Sequence, residues 1–474
     1  MAISVIPEIL CSSHFLEHQI ASGTENLRMA AEVDEESAHS SLNPTLLDCI
    51  RHCPYLMFST IVASFGGILF GFDTAALNGI LIMPSFVMAM GGEHLSATGW
   101  ADRSSWITSS LLLGAAFSSP FTAIVADSVG RKVCINVSSL IIFIGACLQT
   151  FAQSWVLMVI GRLIVGGGIG MLSTAVPLYL AEVSPQSIRG AISSLFELTV
   201  ACGILIAFIV NWGFNGTSIS LPFGDHSSNS SSNSNSDSNW RYILGIQAAM
   251  ALCLSAMMIP LPESPRWLIT IGNQDMARAT LKRIRRCVVI GRRKTDAGEW
   301  LDVTNIDHEC DEMLSDFDMN RRKETAWYDF SVLLQPAMLL RTGIAISIKV
   351  LQQLTGINSI MYYSSIIFSS IGIDPDTTTV VTGLVNVTAT FLSILLIDRW
   401  GRRPLLIWGS VGMCVSSLGV GGIVLSTDAS EPVAATFIAI LICFFIVNFA
   451  YSYGPIAWLY PAEIFPMHAR AKGQ

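Results

Sequence analysis

Gln352-Gln-Leu-Thr-Gly-Ile-Asn-Ser-Ile-Met-Tyr-Tyr363 sets a cluster of amides and hydroxyls inside an otherwise apolar segment. In hydrocarbon an unpaired amide is strongly unfavourable, so Gln352, Gln353 and Asn358 must face protein, water or a ligand. Read as one helix, positions 352 and 353 lie about 100° apart and 358 roughly 1.5 turns beyond them, with the small Gly356 between, which gives one broad polar face. Such a face suits a polyhydroxylated solute. Helix-to-helix hydrogen bonding is the other reading of the same residues.

Moving outward, apolar residues make up 51% of the 474-residue chain and charged residues 13%, against roughly 25% charged in a soluble domain. That balance argues against a soluble enzyme, and no nucleophile with a base, metal cluster or phosphate loop stands out, so no cofactor or metal is expected. The net charge of -8 resides mainly in tails and loops, and no basic tract points to nucleic acid. The 11 cysteines are scattered without CxxC spacing or accompanying histidines. They read as small packing residues rather than zinc ligands or a disulfide scaffold.

Residues 1–54 are polar, with acids at Glu32, Asp34, Glu35 and Glu36, and lack the basic start and apolar core of a cleaved signal peptide. They read as a cytosolic tail. From Tyr55 onward, stretches able to cross roughly 30 Å of hydrocarbon recur. Ten are predicted: 55–80, 105–126, 133–152, 155–180, 190–212, 241–260, 342–371, 378–397, 404–425 and 434–460. With the N-terminus inside, 23 of the 27 Lys and Arg residues fall in the tail and inner loops, the outer loops hold only Arg103 and Arg241, and Arg162 and Lys349 lie within spans. Basic residues collect on the cytosolic side, so a cytosolic N-terminus is expected.

That topology places 213–239 outside, where the Ser/Asn run from Ser227 to Asn239 has too little apolar surface to fold and Asn215 and Asn229 head glycosylation sequons. The inner segment 261–341 opens Leu-Pro-Glu-Ser-Pro-Arg-Trp-Leu and continues with an amphipathic helix in which Met276, Ala279, Leu281 and Ile284 oppose basic positions. It reads as a cytosolic helical linker between a bundle over 55–260 and another over 342–474. A solvated basic linker held by anionic lipid remains the alternative.

The two halves echo each other. Asp127-Ser-Val-Gly-Arg-Lys132 follows the second span and Asp398-Arg-Trp-Gly-Arg-Arg403 the eighth; Glu182-Val-Ser-Pro-Gln-Ser-Ile-Arg-Gly190 follows the fourth and Glu463-Ile-Phe-Pro-Met-His-Ala-Arg470 the tenth. Internal repeats joined by a long central loop mark secondary transporters, whose site lies at the repeat interface near the bilayer midplane.

Together with Gly71-Phe-Asp73, Gly161-Arg162, Pro262-Glu-Ser-Pro-Arg-Trp-Leu268, the Gln352–Asn358 stretch and Gly454-Pro-Ile-Ala-Trp458 ahead of Pro461-Ala-Glu-Ile-Phe-Pro466, this pattern resembles the sugar porters of the major facilitator superfamily from about residue 55 to the end. The resemblance implies an all-α membrane protein of two pseudo-symmetric helical bundles, monomeric in the bilayer. Twelve spans are the family's number, and ten precede Gln474, so the C-terminal bundle is expected to be incomplete, with four helices. It implies that Gln352, Gln353 and Asn358 hydrogen-bond sugar hydroxyls, that Asn386 adds an amide, and that Trp458 offers an aromatic face to the ring. Asp127, Arg131, Glu182, Arg189, Asp398, Arg402, Glu463 and Arg470 would form a cytosolic gate; alternatively they only fix topology and end helices.

Asp73 and Arg162 are intramembrane charges, each costing about 2.5 to 3.5 kcal/mol at a helix centre unless paired. They read as a structural ion pair or as the proton-coupling site, and by resemblance an Asp here goes with proton symport. Two positions depart from the family: Glu197 stands where many relatives have a sugar-binding Gln, and Lys349 sits three residues before Gln352. Either the two neutralise each other across the cavity, making Glu197 a substrate-side residue, or Lys349 snorkels to an interface. The implied activity is alternating-access transport of a monosaccharide, related polyol or acidic sugar, with a proton in preference to facilitated diffusion, and the outward sequons and long polar loop point to a eukaryotic plasma membrane. A sugar sensor or truncated regulatory form is the alternative.

Overall fold

The computed structural model describes residues 53–92, 95–185, 188–216, 239–285, 293–294, 300–301, 310–311, 313–315, 335–426 and 431–465. Its elements are α1 (Pro54–Ile80), α2 (Pro84–Ala89), α3 (Ala97–Val129), α4 (Arg131–Thr150), α5 (Trp155–Val183), α6 (Arg189–Gly216), α7 (Asn239–Met258), α8 (Pro265–Thr270), α9 (Gln274–Arg285), a two-residue antiparallel ladder of β1 (Arg293–Lys294) on β2 (Trp300–Leu301), then α10 (Pro336–Leu354), α11 (Ile357–Ser370), α12 (Pro375–Trp400), α13 (Arg402–Ser426), α14 (Pro432–Tyr451) and α15 (Tyr453–Ile464). Proline occupies the first turn of α1, α10, α12 and α14, where its missing N–H deprives the helix of nothing.

Nine stretches among the described residues are long and apolar enough to span a membrane. Within them, Ser and Thr hydroxyls return to carbonyls one turn back, as in Thr60 to Leu56 (2.9 Å), Thr108 to Ser104 (2.8 Å) and Thr390 to Asn386 (2.8 Å). That satisfies the hydroxyl without water, which hydrocarbon requires. Large apolar side chains such as Phe117 (75% exposed), Leu418 (71%) and Leu425 (90%) point outward, a surface suited to lipid. The seventh predicted span is absent from the nine because it is two helices: α10 carries Arg341 and Lys349, and the chain breaks at Thr355–Gly356 before α11.

In the first half, α1 packs on α6, and α5 is flanked by α3 and α4, with α7 closing against α4 and α1; in the second, α14 packs between α12 and α13. The halves meet through α12 and α15 on α6 and through α11 on α1. Close contact in the first half depends on glycines. A Cβ on Gly71 would lie 2.0 Å from the Val200 carbonyl oxygen and one on Gly203 would lie 2.2 Å from that of Ile68, so α1 and α6 touch backbone to backbone. On α5, a Cβ at Gly166 would lie 2.1 Å from the Leu111 carbonyl oxygen, whereas nothing lies within 4 Å of one at Gly167. Gly166→Ala is therefore expected to cost about 1 to 3 kcal/mol or more by forcing α3 from α5. Gly167→Ala should gain about 0.5 to 1 kcal/mol of helix propensity. Thermal unfolding of the two purified variants in detergent separates the outcomes.

The segment after α7 docks on the charged end of the first bundle. Ser264 caps α8 by accepting from the Trp267 N–H at 3.3 Å, and the α9 guanidinium of Arg283 lies 4.6 Å from the ring centre of Tyr55 at the start of α1. The buried stripe of α9 is Ala277, Leu281 and Ile284, while Met276 is 54% exposed and Ala279 is also exposed. This corrects the sequence expectation by one position, because 277, 281 and 284 share a face at helical spacing and 276 lies off it.

Candidate substrate cavity and proton-coupling site

The polar stretch that opened the sequence reading is not one helix. Gly356 adopts φ +79°, a left-handed conformation that suits glycine, and separates α10 from α11. Gln352 therefore belongs to the last turn of α10 and Asn358 to the first turn of α11, and the polar groups gather around a break instead of along a face. Gln352 is 7% exposed, and its Nε2 donates to the Tyr453 carbonyl at 3.2 Å. Tyr453 begins α15 just after a second break, at Ser452 with φ -116° and ψ -90°. Asn358 Nδ2 donates to Gln353 Oε1 at 2.6 Å across the first break, with Gln353 exposed and Asn358 half-buried. Two interrupted helices thus meet through Gln352, and broken helices at mid-membrane are where transporters place their sites.

Trp458 lies one turn beyond Gly454 on α15 and packs edge-on against Phe196 of α6, with ring centres 5.7 Å apart. The neighbouring Glu197 directs a carboxylate oxygen to within 3.1 Å of where a Cβ on Gly454 would stand. Lys349 Nζ lies 3.0 Å from the centre of the Trp458 ring. Glu197 and Lys349 are near enough to interact electrostatically, yet the ammonium makes no hydrogen bond and rests on the indole. Lys349 thus turns inward, onto Trp458. Asn386 is buried on α12; among the described residues no side-chain hydrogen bond joins it to this group.

A second polar centre is fully buried between α1, α5 and α7. Arg162 donates through Nη1 to Asp73 Oδ1 at 2.8 Å, and Gln247 Nε2 donates to the same oxygen at 2.6 Å. Asp73 and Arg162 are both 0% exposed. Among the described residues, Asp73 Oδ2, Arg162 Nε and Nη2, and Gln247 Oε1 have no hydrogen-bond partner. Gln247 escaped the sequence reading, although an amide inside an apolar span was the available signal. Five residues beyond Asp73, Asn78 ties α1 to α11: its Nδ2 donates to the Met361 carbonyl at 3.1 Å and to Ser364 Oγ at 2.5 Å, and its Oδ1 accepts from the Ser365 N–H at 2.8 Å. Tyr362 of α11 is buried and near enough to interact electrostatically with both Arg162 and Asp73. The Asp73–Arg162 pair and the broken seventh span therefore share a wall.

Comparison with known proteins shows the family. The family described as "Sugar (and other) transporter" matches residues 59–474. The chain belongs to the sugar porter family. Sugar transport protein 1 of Arabidopsis thaliana is 32% identical over 442 residues, covering 89% of this chain and 78% of the relative. Sugar transport protein MST7 of Oryza sativa subsp. japonica is 31% identical over 440 residues, covering 89% and 79%. Among solved structures, the major facilitator proton:xylose symporter XylE bound to 6-bromo-6-deoxy-D-glucose superposes with a TM-score of 0.71 at 25% identity, covering 89% of this chain and 85% of the other. A partially occluded inward open form of XylE from E. coli gives 0.67. The fold is that of the major facilitator superfamily, and the protein is a multi-pass sugar transporter rather than an enzyme.

In this sugar porter the two repeated turns are built alike. Gly130 (φ +100°) and Gly401 (φ +78°) end α3 and α12, and each following arginine reaches back five residues: Arg131 Nη1 to the Ala126 carbonyl (2.9 Å) and Arg402 Nη1 to that of Ile397 (3.5 Å). Arg131 also pairs with Asp127 at 3.1 Å and Glu182 at 3.0 Å. Glu182 accepts from Ser264 Oγ at 2.5 Å, and Trp267 Nε1 donates to the Asp127 carbonyl at 2.9 Å, so the α8 segment seals the cluster. Burial pushes the Glu263 carboxyl above its ordinary value, while N–H groups of Lys132, Ser264 and Arg131 and the Arg131 charge draw it back. The side chains of Arg189, Asp398 and Glu463, and the whole of Arg470, lie outside the described residues, as does Asn229. Asn215 is exposed at the end of α6, its Nδ2 donating to Asp376 Oδ1 at 2.9 Å.

Proposed function

We propose that this porter moves a monosaccharide or related polyol by alternating access together with a proton, across a eukaryotic plasma membrane with its N-terminus in the cytosol. The observation that carries the proton is the one-sided use of Asp73: both donors meet Oδ1, leaving Oδ2 buried and unpartnered. A proton can add at Oδ2 without displacing either hydrogen bond. Neutralising Asp73 then weakens its hold on Arg162, and the α1–α5 contact with α11 loosens where Asn78 and Tyr362 sit.

The sugar would lie between the breaks, with Gln352, Gln353 and Asn358 replacing water at its hydroxyls and Trp458 against its C–H face. Asn386 adds an amide from α12. A millimolar constant, about -4 kcal/mol, suffices for capture and still permits release when the gate changes sides. The Asp127, Arg131 and Glu182 cluster, with Arg189, Asp398, Arg402, Glu463 and Arg470, would hold the cytosolic end shut between turnovers. XylE is named a proton:xylose symporter, and that kinship supports the same coupling here. The test is uptake of a panel of labelled hexoses, pentoses and polyols by cells lacking their own porters, with and without a protonophore. Accumulation that the protonophore abolishes is expected; uptake indifferent to it would leave facilitated diffusion.

A further inference from the structure

One face of Trp458, the ring proposed above to meet the sugar, is covered. Lys349 Nζ stands 3.0 Å from the ring centre, in a narrow cleft lined by Ser173, Thr174, Lys349, Ala457, Trp458 and Pro461. Its three N–H groups have no hydrogen-bond partner among the described residues, so the π face and the nearby Glu197 charge are what hold it. Glu197, on α6 of the first half, presents a carboxylate at Gly454, one turn from Trp458. Lys349 is on α10 of the second half. Sugar C–H groups and this ammonium compete for one aromatic surface.

We propose that Lys349 is a tethered competitor for the sugar on Trp458, and that sugar entry drives it onto Glu197, joining the two bundles by an ion pair. This rests on the sugar-transport reading and adds a substrate-dependent step to it. With the site empty, the cation occupies Trp458 and reduces the fraction of protein ready to bind, which weakens apparent affinity by that fraction. With sugar present, the displaced ammonium meets the Glu197 carboxylate, which makes no ion pair among the described residues, a charge-assisted contact stronger than a neutral one. Binding is thereby converted into attraction between the halves. Lys349 is a positioning residue, and the neutral face of a hexose, pentose or polyol is the ligand it answers to.

Equilibrium binding of labelled neutral sugars and of a labelled uronate to purified protein tests this, with transport rates measured in parallel. Lys349→Gln should bind neutral sugar roughly threefold to thirtyfold more tightly, the loss of a competing cation–π contact read as affinity, yet transport at a lower maximal rate. Lys349→Arg, which still stacks on indole, should bind no tighter than wild type. Glu197→Gln should weaken binding, and the double variant should match Lys349→Gln alone, a non-additivity that independent sites would not show. Unchanged or weaker neutral-sugar binding by Lys349→Gln, or additive effects, overturns the proposal. So does loss of uronate binding alone, which would make Lys349 a carboxylate anchor. If neither wild type nor Lys349→Gln binds any sugar, the transport reading itself falls and this step with it.

Discussion

Asp73→Asn is expected to abolish uphill sugar uptake completely while leaving sugar exchange in place. The substituted amide can keep its oxygen where Arg162 and Gln247 donate, at 2.8 and 2.6 Å, and set its NH2 where Oδ2 is unpartnered. It therefore imitates the protonated acid and cannot return to the charged form. Cells expressing it should equilibrate a labelled sugar without concentrating it, and a protonophore should make no difference. Stability must be read separately, because the change leaves the fully buried Arg162 without its counter-charge. Breaking a buried pair in this way costs about 3 to 5 kcal/mol. The double variant Asp73→Asn/Arg162→Gln removes that stranded charge and should recover thermal stability without recovering accumulation. If the pair were structural only, restoring stability would restore accumulation too.

The bundle architecture was legible because a membrane helix must be apolar along its length, and the repeated Asp/Gly/Arg turns were legible because each uses a glycine and an arginine at fixed spacing. The structure gives both Gly130 and Gly401 a positive φ and has both Arg131 and Arg402 reach a carbonyl five residues back. The breaks at Gly356 and Ser452 were not legible. Glycine and serine are ordinary in continuous membrane helices, so nothing in the sequence separates a left-handed Gly356 from a packing glycine. Reading 352–363 as one helix put its polar residues along one face, whereas the structure gathers them around a break. The seat of Lys349 on Trp458 joins residues with no local pattern between them, so the sequence offered its charge and not its place. Gln247 was missed because a single amide in an apolar span carries no motif, although it donates to the same Asp73 oxygen as Arg162.

Arg131→Gln should be the most destabilising change at the end of the bundle that charge counting assigns to the cytosol. The guanidinium is 7% exposed and meets Asp127 at 3.1 Å and Glu182 at 3.0 Å, the latter only 8% exposed. It also donates to the Ala126 carbonyl at 2.9 Å. A neutral amide cannot span these partners, and it leaves Glu182 buried beside a second carboxylate, with Ser264 still donating at 2.5 Å. A loss of about 3 to 5 kcal/mol follows. The exposed pair of Arg278 with Asp311, at 2.9 Å but 42% and 63% exposed, supplies the contrast: Arg278→Gln should cost about 0 to 1 kcal/mol. Arg131→Lys should fall between wild type and Arg131→Gln, since it keeps the charge but loses the fork that engages several oxygens at once. Thermal unfolding of the three purified variants in detergent gives the order directly. The idea fails if Arg131→Gln unfolds no earlier than Arg278→Gln, because the cluster that joins α3, α4, α5 and α8 would then be held by packing alone.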